Sequence, residues 1–414
     1  MKNLFLTFLM LAGFSLFADD LYVNSSGLEG TYYTIQEAVD AAEDGDNIYI
    51  ATVGTFSEDV TVDKTLFLVA AVPDEYFTLS GEIQIETDPG IEVTIIGMNN
   101  GSVTGTGQGT VIGDKVIVNV ISSFISSIGF HGNNFNYEVN VYDCEVYNDF
   151  DIRNGEVKGN TITNLSVQND PGADTDTVKI MGNYIQDFYF DNDTHYFEIC
   201  NNFIDGQDEG FTISTRFQID DWRLIAGGTN LISNNTISSN SYYPNCSNMF
   251  MYGIYLSGNT DGQNLVIVNN YIENNVNCGC GNGYEGSYLI YSQDGDMTNA
   301  YVANNYYYSN SGSSTTNYEI YNFDSSSLID NNNTNYDFDS STGIVNGGQN
   351  LGLDWIEYRD IDNTVNDIGP VGGPHAWSNY NTTQGKAAIV DLELPFQLYI
   401  GGVHNVKAKS IHKN

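Results

Sequence analysis

The feature that most constrains the fold is a short recurring motif: an asparagine, then any residue, then an apolar or aromatic one. Its copies begin at Asn160, Asn183, Asn202, Asn235, Asn270 and Asn305, with a degenerate copy at Asn332. Successive asparagines are 23, 19, 33, 35, 35 and 27 residues apart. Units this short cannot bury an apolar face alone, so the repeat predicts the stacked coils of a solenoid.

Around the motif, apolar residues alternate with a period of two, as in Leu265–Ile272. This period indicates short strands rather than helices. An asparagine repeated at one corner suits a turn, because it tolerates left-handed backbone and its amide can bond stacked neighbours. The chain has 29 tyrosines and 42 glycines but only 7 prolines, which also favours strands and turns. We therefore predict an all-β parallel β-helix.

The first 18 residues read as a signal peptide. Lys2 precedes the apolar run Leu4–Phe17, and the small residue Ala18 precedes two aspartates. No later stretch has the length and hydrophobicity of a membrane span. The sequence thus predicts export to the cell surface or the extracellular space, without a membrane-spanning segment.

A single helix is expected over Tyr33–Ala42, with one apolar face and a capping box formed by Thr34 and Glu37. Three segments resemble the N-terminal cap of pectin-lyase-like right-handed parallel β-helix proteins of bacteria: Ile35-Gln-Glu-Ala-Val39, Gly45-Asp-Asn-Ile-Tyr-Ile50 and Gly54-Thr-Phe-Ser-Glu58. The resemblance implies a β-helix over residues 19–345 whose first coil is plugged by the helix. The family includes glycan lyases, glycan hydrolases and non-enzymatic surface proteins, so fold alone does not select a function.

Two further segments follow the repeats. Asp367–Trp377, within residues 346–385, resembles the closing segment of bacterial surface β-helix proteins, which finishes the last coil. Residues 386–414 contain two strand-like runs, Ile389–Leu394 and Val403–Ile411, and predict a short C-terminal β appendage.

The charge balance restricts the partners. The chain has 53 acidic and 13 basic residues, a formal net charge of −40. Such a surface repels nucleic acid and anionic lipid, so neither is expected as a partner. The acidic residues serve either solubility or Ca²⁺ binding, since Ca²⁺ takes carboxylate and carbonyl oxygens.

Later coils gain residues just after the asparagine motif, and such insertions stack into a wall along one side of a solenoid. The strands after the insertions align as Phe211–Ser214, Tyr252–Tyr255, Tyr288–Tyr291 and Tyr318–Tyr321. Strand geometry then turns one isoleucine of each strand into the core: Ile213, Ile254, Ile290 and Ile320. The same geometry predicts an outward column of tyrosines about 4.8 Å apart: Tyr189, Tyr255, Tyr291 and Tyr321.

This column supports two interpretations. Regularly spaced flat aromatics suit the apolar faces of sugar rings, which predicts polysaccharide binding. Alternatively, the rings form an external ladder that only stabilises neighbouring coils, as in a structural adhesin.

A Ca²⁺-dependent polysaccharide lyase is the enzymatic alternative on the same face. Strand alternation places Arg153, Asp191 and Arg216 in the next outward column. Arg216 would act as the base beside Asp191, Asp191 and Asp193 would hold Ca²⁺, and Arg153 would contact substrate. Alternatively, Arg216 has no catalytic role and only forms an ion pair with Asp191 of the adjacent coil.

A glycoside hydrolase is less favoured. Only one of the motifs of β-helical polygalacturonases is present in this sequence, the acidic pair Asp220-Asp221.

The chain has five cysteines, and export favours disulfides. Cys246 lies 11 residues past Asn235 and Cys280 lies 10 past Asn270, so stacked insertions predict a Cys246–Cys280 bridge. Cys144 and Cys200 are expected to be small core residues.

Overall fold

The computed structural model confirms an all-β right-handed parallel β-helix. It describes the following residues: 18–86, 90–105, 115–130, 137–168, 177–193, 195–208, 213–215, 217–224, 228–243, 250–259, 261–262, 264–278, 286–311, 317–324, 334–335, 369, 386–393 and 407–413. Residues 1–17 of the expected signal peptide lie outside this set.

The first sheet receives one strand from each coil, and all of its strands are parallel. In the order in which they pair, its strands are β1 (Asp20–Val23), β2 (Asp46–Ile50), β5 (Leu66–Ala70), β8 (Glu92–Ile96), β11 (Val116–Ile121), β14 (Tyr137–Tyr142), β16 (Glu156–Lys158), β18 (Thr177–Met181), β20 (Tyr196–Cys200), β24 (Asn230–Ser233), β27 (Leu265–Val268) and β30 (Tyr301–Ala303).

The remaining strands of the coils form a second parallel network. Up to Ile152 they are short: β3 (Thr55–Phe56), β4 (Val60–Val62), β6 (Phe77–Leu79), β7 (Glu82–Ile85), β9 (Met98–Asn99), β10 (Ser102–Gly105), β12 (Phe124–Ile125), β13 (Ile128–Gly129) and then the longer β15 (Glu145–Ile152). Beyond it they are β17 (Thr161–Gln168), β19 (Tyr184–Asn192), β21 (Phe203–Asp208), β22 (Ile213–Thr215), β23 (Phe217–Trp222), β25 (Thr236–Tyr243), β26 (Phe250–Leu256), β28 (Tyr271–Cys278), β29 (Gly286–Ser292), β31 (Tyr306–Ser311), β32 (Asn317–Tyr321) and β33 (Thr334–Asn335).

The core is a stack of inward-facing apolar side chains, one layer per coil. In the first sheet, Ile199, Ile232, Ile267 and Val302 occupy one register column, and all four are fully buried. Burial of such columns along the axis supplies the main stabilisation of a solenoid, because each coil contacts only its neighbours.

Helix α1 (Ile35–Ala41) covers the first coil, and the predicted capping box of Thr34 and Glu37 is present. The Glu58 carboxylate accepts hydrogen bonds from two first-turn N–H groups at 2.9 and 3.0 Å. At the other end, the Lys64 ammonium donates to carbonyl oxygens of the last turn and the C-cap, at 2.8 and 3.0 Å. An anion at the N-terminus and a cation at the C-terminus complement the helix dipole and tie the cap to the next coil.

The repeated asparagines form a buried ladder, as the sequence predicts. Each amide nitrogen donates at 2.9–3.0 Å to the carboxamide oxygen of the next asparagine, from Asn160 to Asn305. Each also donates to a strand carbonyl, for example Ile199 at 2.8 Å from Asn235. The left-handed residue is the one before each ladder asparagine, such as Asn234 with φ of 56°. The asparagine therefore bonds its neighbours, while its predecessor makes the turn.

The structure describes one residue of the expected closing segment, Gly369. The Gly369 N–H donates to the Asn269 carbonyl at 3.0 Å, and its own carbonyl accepts from the Asn234 amide at 3.4 Å. Gly369 thus lies against the side of two coils that precede the coil of Asn305. Within residues 386–414, strands β34 (Lys386–Glu393) and β35 (Lys407–Lys413) pair antiparallel with each other.

Among the described residues, no helix has the length and apolar character needed to cross a membrane.

Candidate functional site

The insertions begin as strands that stack in register, which builds the predicted wall. β21, β25, β28 and β31 follow the ladder asparagines and pair in parallel through Ser238, Glu273 and Tyr308. Each strand runs six or eight residues. The later parts of these insertions, at residues 244–249, 279–285 and 312–316, lie outside the described residues.

The outward tyrosines form a stack across three consecutive coils. The ring centroids of Tyr255 and Tyr291 are 5.5 Å apart, and those of Tyr291 and Tyr321 are 5.8 Å apart with planes only 6° from parallel. A second column lies beside them, with the rings of Tyr252 and Tyr288 stacked at 5.4 Å. We call these five residues the tyrosine surface.

A local irregularity places the two columns on the same face. Two consecutive residues in each strand point into the core: Gly253 and Ile254 in one coil, Leu289 and Ile290 in the next. A Cβ on Gly253 would lie 2.5 Å from the Ile272 side chain, so only glycine fits there. As a result, tyrosines three residues apart both face outward and touch, with Tyr288 and Tyr291 centroids at 5.0 Å.

The side chains of the tyrosine surface differ in their exposure to solvent. Tyr252 and Tyr288 are 8% exposed, whereas Tyr321 is 39% exposed. The outer rings therefore present their edges to solvent, and the inner rings hold them in place.

Tyr189 lies in the same column, but it does not touch the tyrosine surface. The register runs from Ser166 through Tyr189 to Gln218, and only then to Tyr255. Gln218 therefore occupies the coil in between, a residue that the sequence analysis missed.

The alignment of Ile213 with Ile254 is wrong. Ile213 pairs with Phe250, and Thr215 pairs with Tyr252, four residues earlier than predicted. The core position of Ile254 is filled in this coil by Phe217, which stacks on Phe188 at 5.0 Å. The sequence contained a signal for this, because Phe217-Gln-Ile219 continues the inward–outward alternation of Phe188-Tyr-Phe190.

Between Tyr189 and Tyr255 lies a hydrogen-bonded centre on Asp220. Its carboxylate accepts from the Tyr189 hydroxyl at 2.7 Å, from the Gln218 amide at 2.7 Å and from the Ser257 hydroxyl. Burial alone would raise the pKa of Asp220, but these three donors outweigh it and lower the pKa. Burial and the bond to Asp220 raise the pKa of Tyr189, so this phenol remains protonated and acts as a donor.

The neighbouring carboxyl groups of Asp191 and Asp221 have raised pKa values, in contrast to Asp220. Asp221 pairs in register with Asp191, next to Asp193. Burial first, and then the charge of Asp220, raise the pKa of Asp191; burial and the surrounding aspartates raise that of Asp221. Within the described part of the chain, no three His, Cys, Asp or Glu side chains come together as a metal site. The calcium hypothesis at Asp191 and Asp193 therefore gains no support from side-chain geometry.

Among the described residues, Asp191 pairs with Asp221 and not with the arginine predicted opposite it. Arg216 itself lies outside that set, and its neighbour Phe217 pairs with Phe188, three residues before Asp191. The position assigned to Arg216 opposite Asp191 is taken by Asp221. Arg153 directly follows β15, and its carbonyl accepts from the Asn192 amide at 2.9 Å.

A shallow acidic groove of about 190 Å³ adjoins Tyr189 on the side away from the tyrosine surface. Its polar lining comprises Asp149, Asp151, Asn164, Ser166, Asp187, Tyr189 and Gln218. The groove extends the outward column toward the N-terminus with oxygen-rich side chains, which are acceptors for hydroxyl groups.

The predicted bridge falls on Cys246 and Cys280, which both lie outside the described residues. The last described pair before them, Tyr243 opposite Cys278, shows that the two insertions stack up to that point. Cys144 and Cys200 are both buried, as expected of small core residues. Cys144 also extends the ladder, since its backbone N–H donates to the Asn160 carboxamide oxygen at 2.8 Å.

A scan against protein-family models found no match, and searches of curated proteins and of solved structures found none either. The resemblance to pectin-lyase-like proteins therefore rests on the residues quoted above and on the fold.

Proposed function

We propose that this protein binds a polysaccharide along the tyrosine surface. The observation that carries the proposal is the stack of Tyr255, Tyr291 and Tyr321, whose partly exposed rings repeat once per coil. Strand spacing sets the repeat at about 4.8 Å, close to the length of one pyranose residue. A glycan chain lying along the axis would meet an aromatic ring at nearly every sugar.

The charge around the surface favours a neutral glycan. Asp220 and Asp221 flank the column on the N-terminal side, and the chain as a whole has a net charge of −40. A polyuronate would be repelled unless cations bridged it. Carboxylates and amides such as Gln218 are in contrast good partners for sugar hydroxyls.

The purely structural alternative predicts a different distribution of burial. A ladder that only ties coils together gains most from rings that are fully covered. Here the covered rings, Tyr252 and Tyr288, already join their coils, and the outer column adds a second stack that remains accessible.

The test is affinity electrophoresis of the full chain in gels containing soluble cellulose derivatives, xylan, galactomannan or mannan. We expect retardation by at least one neutral glycan. Tyr255→Ala and Tyr291→Ala should each weaken retention about tenfold or more, because stacked aromatics dominate binding energies of this kind.

Tyr22→Ala is the matched control. Tyr22 is exposed and stacks on Tyr49 at 5.3 Å, but it lies on the first sheet. Retention unaffected by Tyr255→Ala and Tyr291→Ala, or weakened as much by Tyr22→Ala, would contradict the proposal.

The lyase alternative is checked in the same samples. Pectate and alginate with added Ca²⁺ are monitored for unsaturated uronate products in the ultraviolet. We expect no such product, because Asp221 rather than a basic residue pairs with Asp191. Product formation that Arg216→Ala abolishes would replace binding by catalysis as the function of this face.

A further inference from the structure

A second surface, separate from the tyrosine surface, runs along the ladder corner. Its floor is made by the residues that turn the chain just before the ladder positions: Gly97, Ser122, Asp143, Gly159 and Gly182. Glycine and serine predominate in this stretch, so the corner is recessed. The result is a cleft of about 480 Å³ that we call the corner furrow.

The walls of the corner furrow combine aromatic rings with carboxylates. Tyr76 packs edge-on against Phe124 at 4.8 Å, and Tyr184 lines the cleft three coils beyond Phe124. The segment 71–76 also lines the cleft. Four acidic residues contribute to the lining: Asp74, Glu75, Asp143 and Glu145.

The same corner receives polypeptide further along the axis. In the following coils, the strand register places Asn201, Asn234 and Asn269 at the turn position that Gly182 occupies in the furrow floor. There the main chain of Gly369 bonds Asn269 and Asn234. Gly369 also lies beside Thr236 and Tyr271, which continue the wall column of Tyr184.

We propose that the corner furrow binds an extended polypeptide strand that carries lysine or arginine. The seat of Gly369 shows that this corner bonds a peptide main chain through one backbone carbonyl and one side-chain amide. The open stretch spans five coils, about 19 Å at the strand spacing, which fits five or six extended residues. The carboxylates select basic side chains, and Tyr76, Phe124 and Tyr184 receive their aliphatic stems.

The charge pattern distinguishes this surface from the tyrosine surface. The corner furrow has four carboxylates and four aromatic rings, of Tyr49, Tyr76, Phe124 and Tyr184, spread around a cleft, whereas the tyrosine surface is a flat stack of rings. A cleft with this lining suits a chain with alternating basic residues, since side chains two apart lie on one face of a strand. This proposal does not depend on the proposed glycan binding.

The probe is a fluorescein-labelled peptide of residues 405–414 of this chain, in which Lys407 and Lys409 are two apart. Fluorescence anisotropy with the full chain at 0.15 M salt should show saturable binding. The same peptide with glutamate at its three lysine positions should not bind.

Two variants locate the site. Asp74→Asn combined with Glu145→Gln removes two carboxylates from the corner furrow and should weaken binding about tenfold or more. Thr161→Trp keeps the charge but fills the furrow, and should weaken binding similarly. The charge-matched control is Glu29→Gln combined with Asp63→Asn, whose exposed side chains do not line the furrow.

Three results would overturn the proposal: no saturable binding at 0.15 M salt, equal losses in the furrow and control double variants, or full binding by Thr161→Trp. Equal losses would mean only general attraction to an acidic protein. If Thr161→Trp abolished binding of a neutral oligosaccharide and left binding of the peptide unchanged, the furrow would be assigned to a glycan instead. Circular dichroism of each variant confirms that the coils remain folded.

Discussion

Two stacks of identical side chains run along this molecule, one inside and one outside. The asparagine ladder is almost fully buried, and the amide group of Asn235 bonds both neighbouring asparagines and the Ile199 carbonyl. The outer tyrosine column is partly exposed, and Tyr321 leaves 39% of its surface to solvent. Both stacks follow the same coil spacing, so they differ in environment rather than in geometry.

The difference separates structural from functional use of a repeat. In the ladder the buried hydrogen-bonding groups have partners. Replacing one asparagine therefore removes hydrogen bonds from several buried groups at once. In the tyrosine column the ring faces contact only their neighbours, and the outer edges remain available to a ligand. We therefore expect the ladder to respond to mutation with lost stability and the tyrosine surface to respond with lost binding.

The largest effect should come from Asn235→Ala. It removes the bonds that the Ile199 carbonyl, the Asn202 backbone N–H and one side-chain N–H of Asn202 make with Asn235, so the free energy of unfolding should fall by about 3 kcal/mol. Urea denaturation monitored by circular dichroism measures it. The control is Asn119→Ala, an outward-facing asparagine that bonds Glu92, Thr94 and Asn140, for which we expect less than about 1 kcal/mol, because the Asn140 amide keeps its bond to Glu138. Equal losses would erase the distinction between buried and exposed stacks.

Within the tyrosine surface, stability should follow burial. Tyr288→Ala removes a ring that is 8% exposed and should cost about 2–3 kcal/mol, whereas Tyr291→Ala should cost about 1 kcal/mol. The same denaturation experiment compares them. A larger loss for Tyr291 than for Tyr288 would show that the outer column serves primarily to join coils.

The smallest effects should come from the adjacent aspartates, and they should have opposite signs. The pKa of Asp221 is raised in the folded protein, so its contribution to stability is present below the ordinary aspartate pKa and lost as pH rises through the folded pKa. Asp221→Asn should therefore raise the melting temperature at pH 7, by about 1 °C. The pKa of Asp220 is lowered, so its contribution is present above the ordinary pKa and lost as pH falls.

Asp220→Asn should accordingly lower the melting temperature at pH 7, and both variants should approach the parent near pH 3. Calorimetry at the two pH values gives the comparison. A destabilising Asp221→Asn at pH 7 would show that charge repulsion in this cluster is negligible.

The local parts of this architecture could be predicted from the sequence. The ladder was accessible because the asparagine motif recurs coil after coil, and the pairing of Tyr255, Tyr291 and Tyr321 because each ends the same Tyr-x-Ile-Tyr motif. The capping box was accessible because Thr34 and Glu37 are neighbours on one turn.

The features that the sequence did not predict depend on changes in coil length and on contacts between distant residues, which the repeat motif does not specify. Ile213 was misaligned because the chain between β21 and β23 changes length, and the coil resumes its register at Phe217. Asp220 was known only as half of an acidic pair, since its three donors come from three different coils. The seat of Gly369 is a contact between residues 100 or more apart in sequence, which no local pattern specifies.

Hydroxyl-radical footprinting of the full chain, with and without the glycan identified by electrophoresis, tests the central claim most directly. Tyr321 and Tyr22 have comparable exposure, 39% and 48%, so they serve as site and internal reference. Glycan binding on the tyrosine surface predicts that oxidation of Tyr255, Tyr291 and Tyr321 falls several-fold while that of Tyr22 is unchanged. Unchanged oxidation of Tyr321 with the glycan bound, or equal protection of Tyr22, would contradict it.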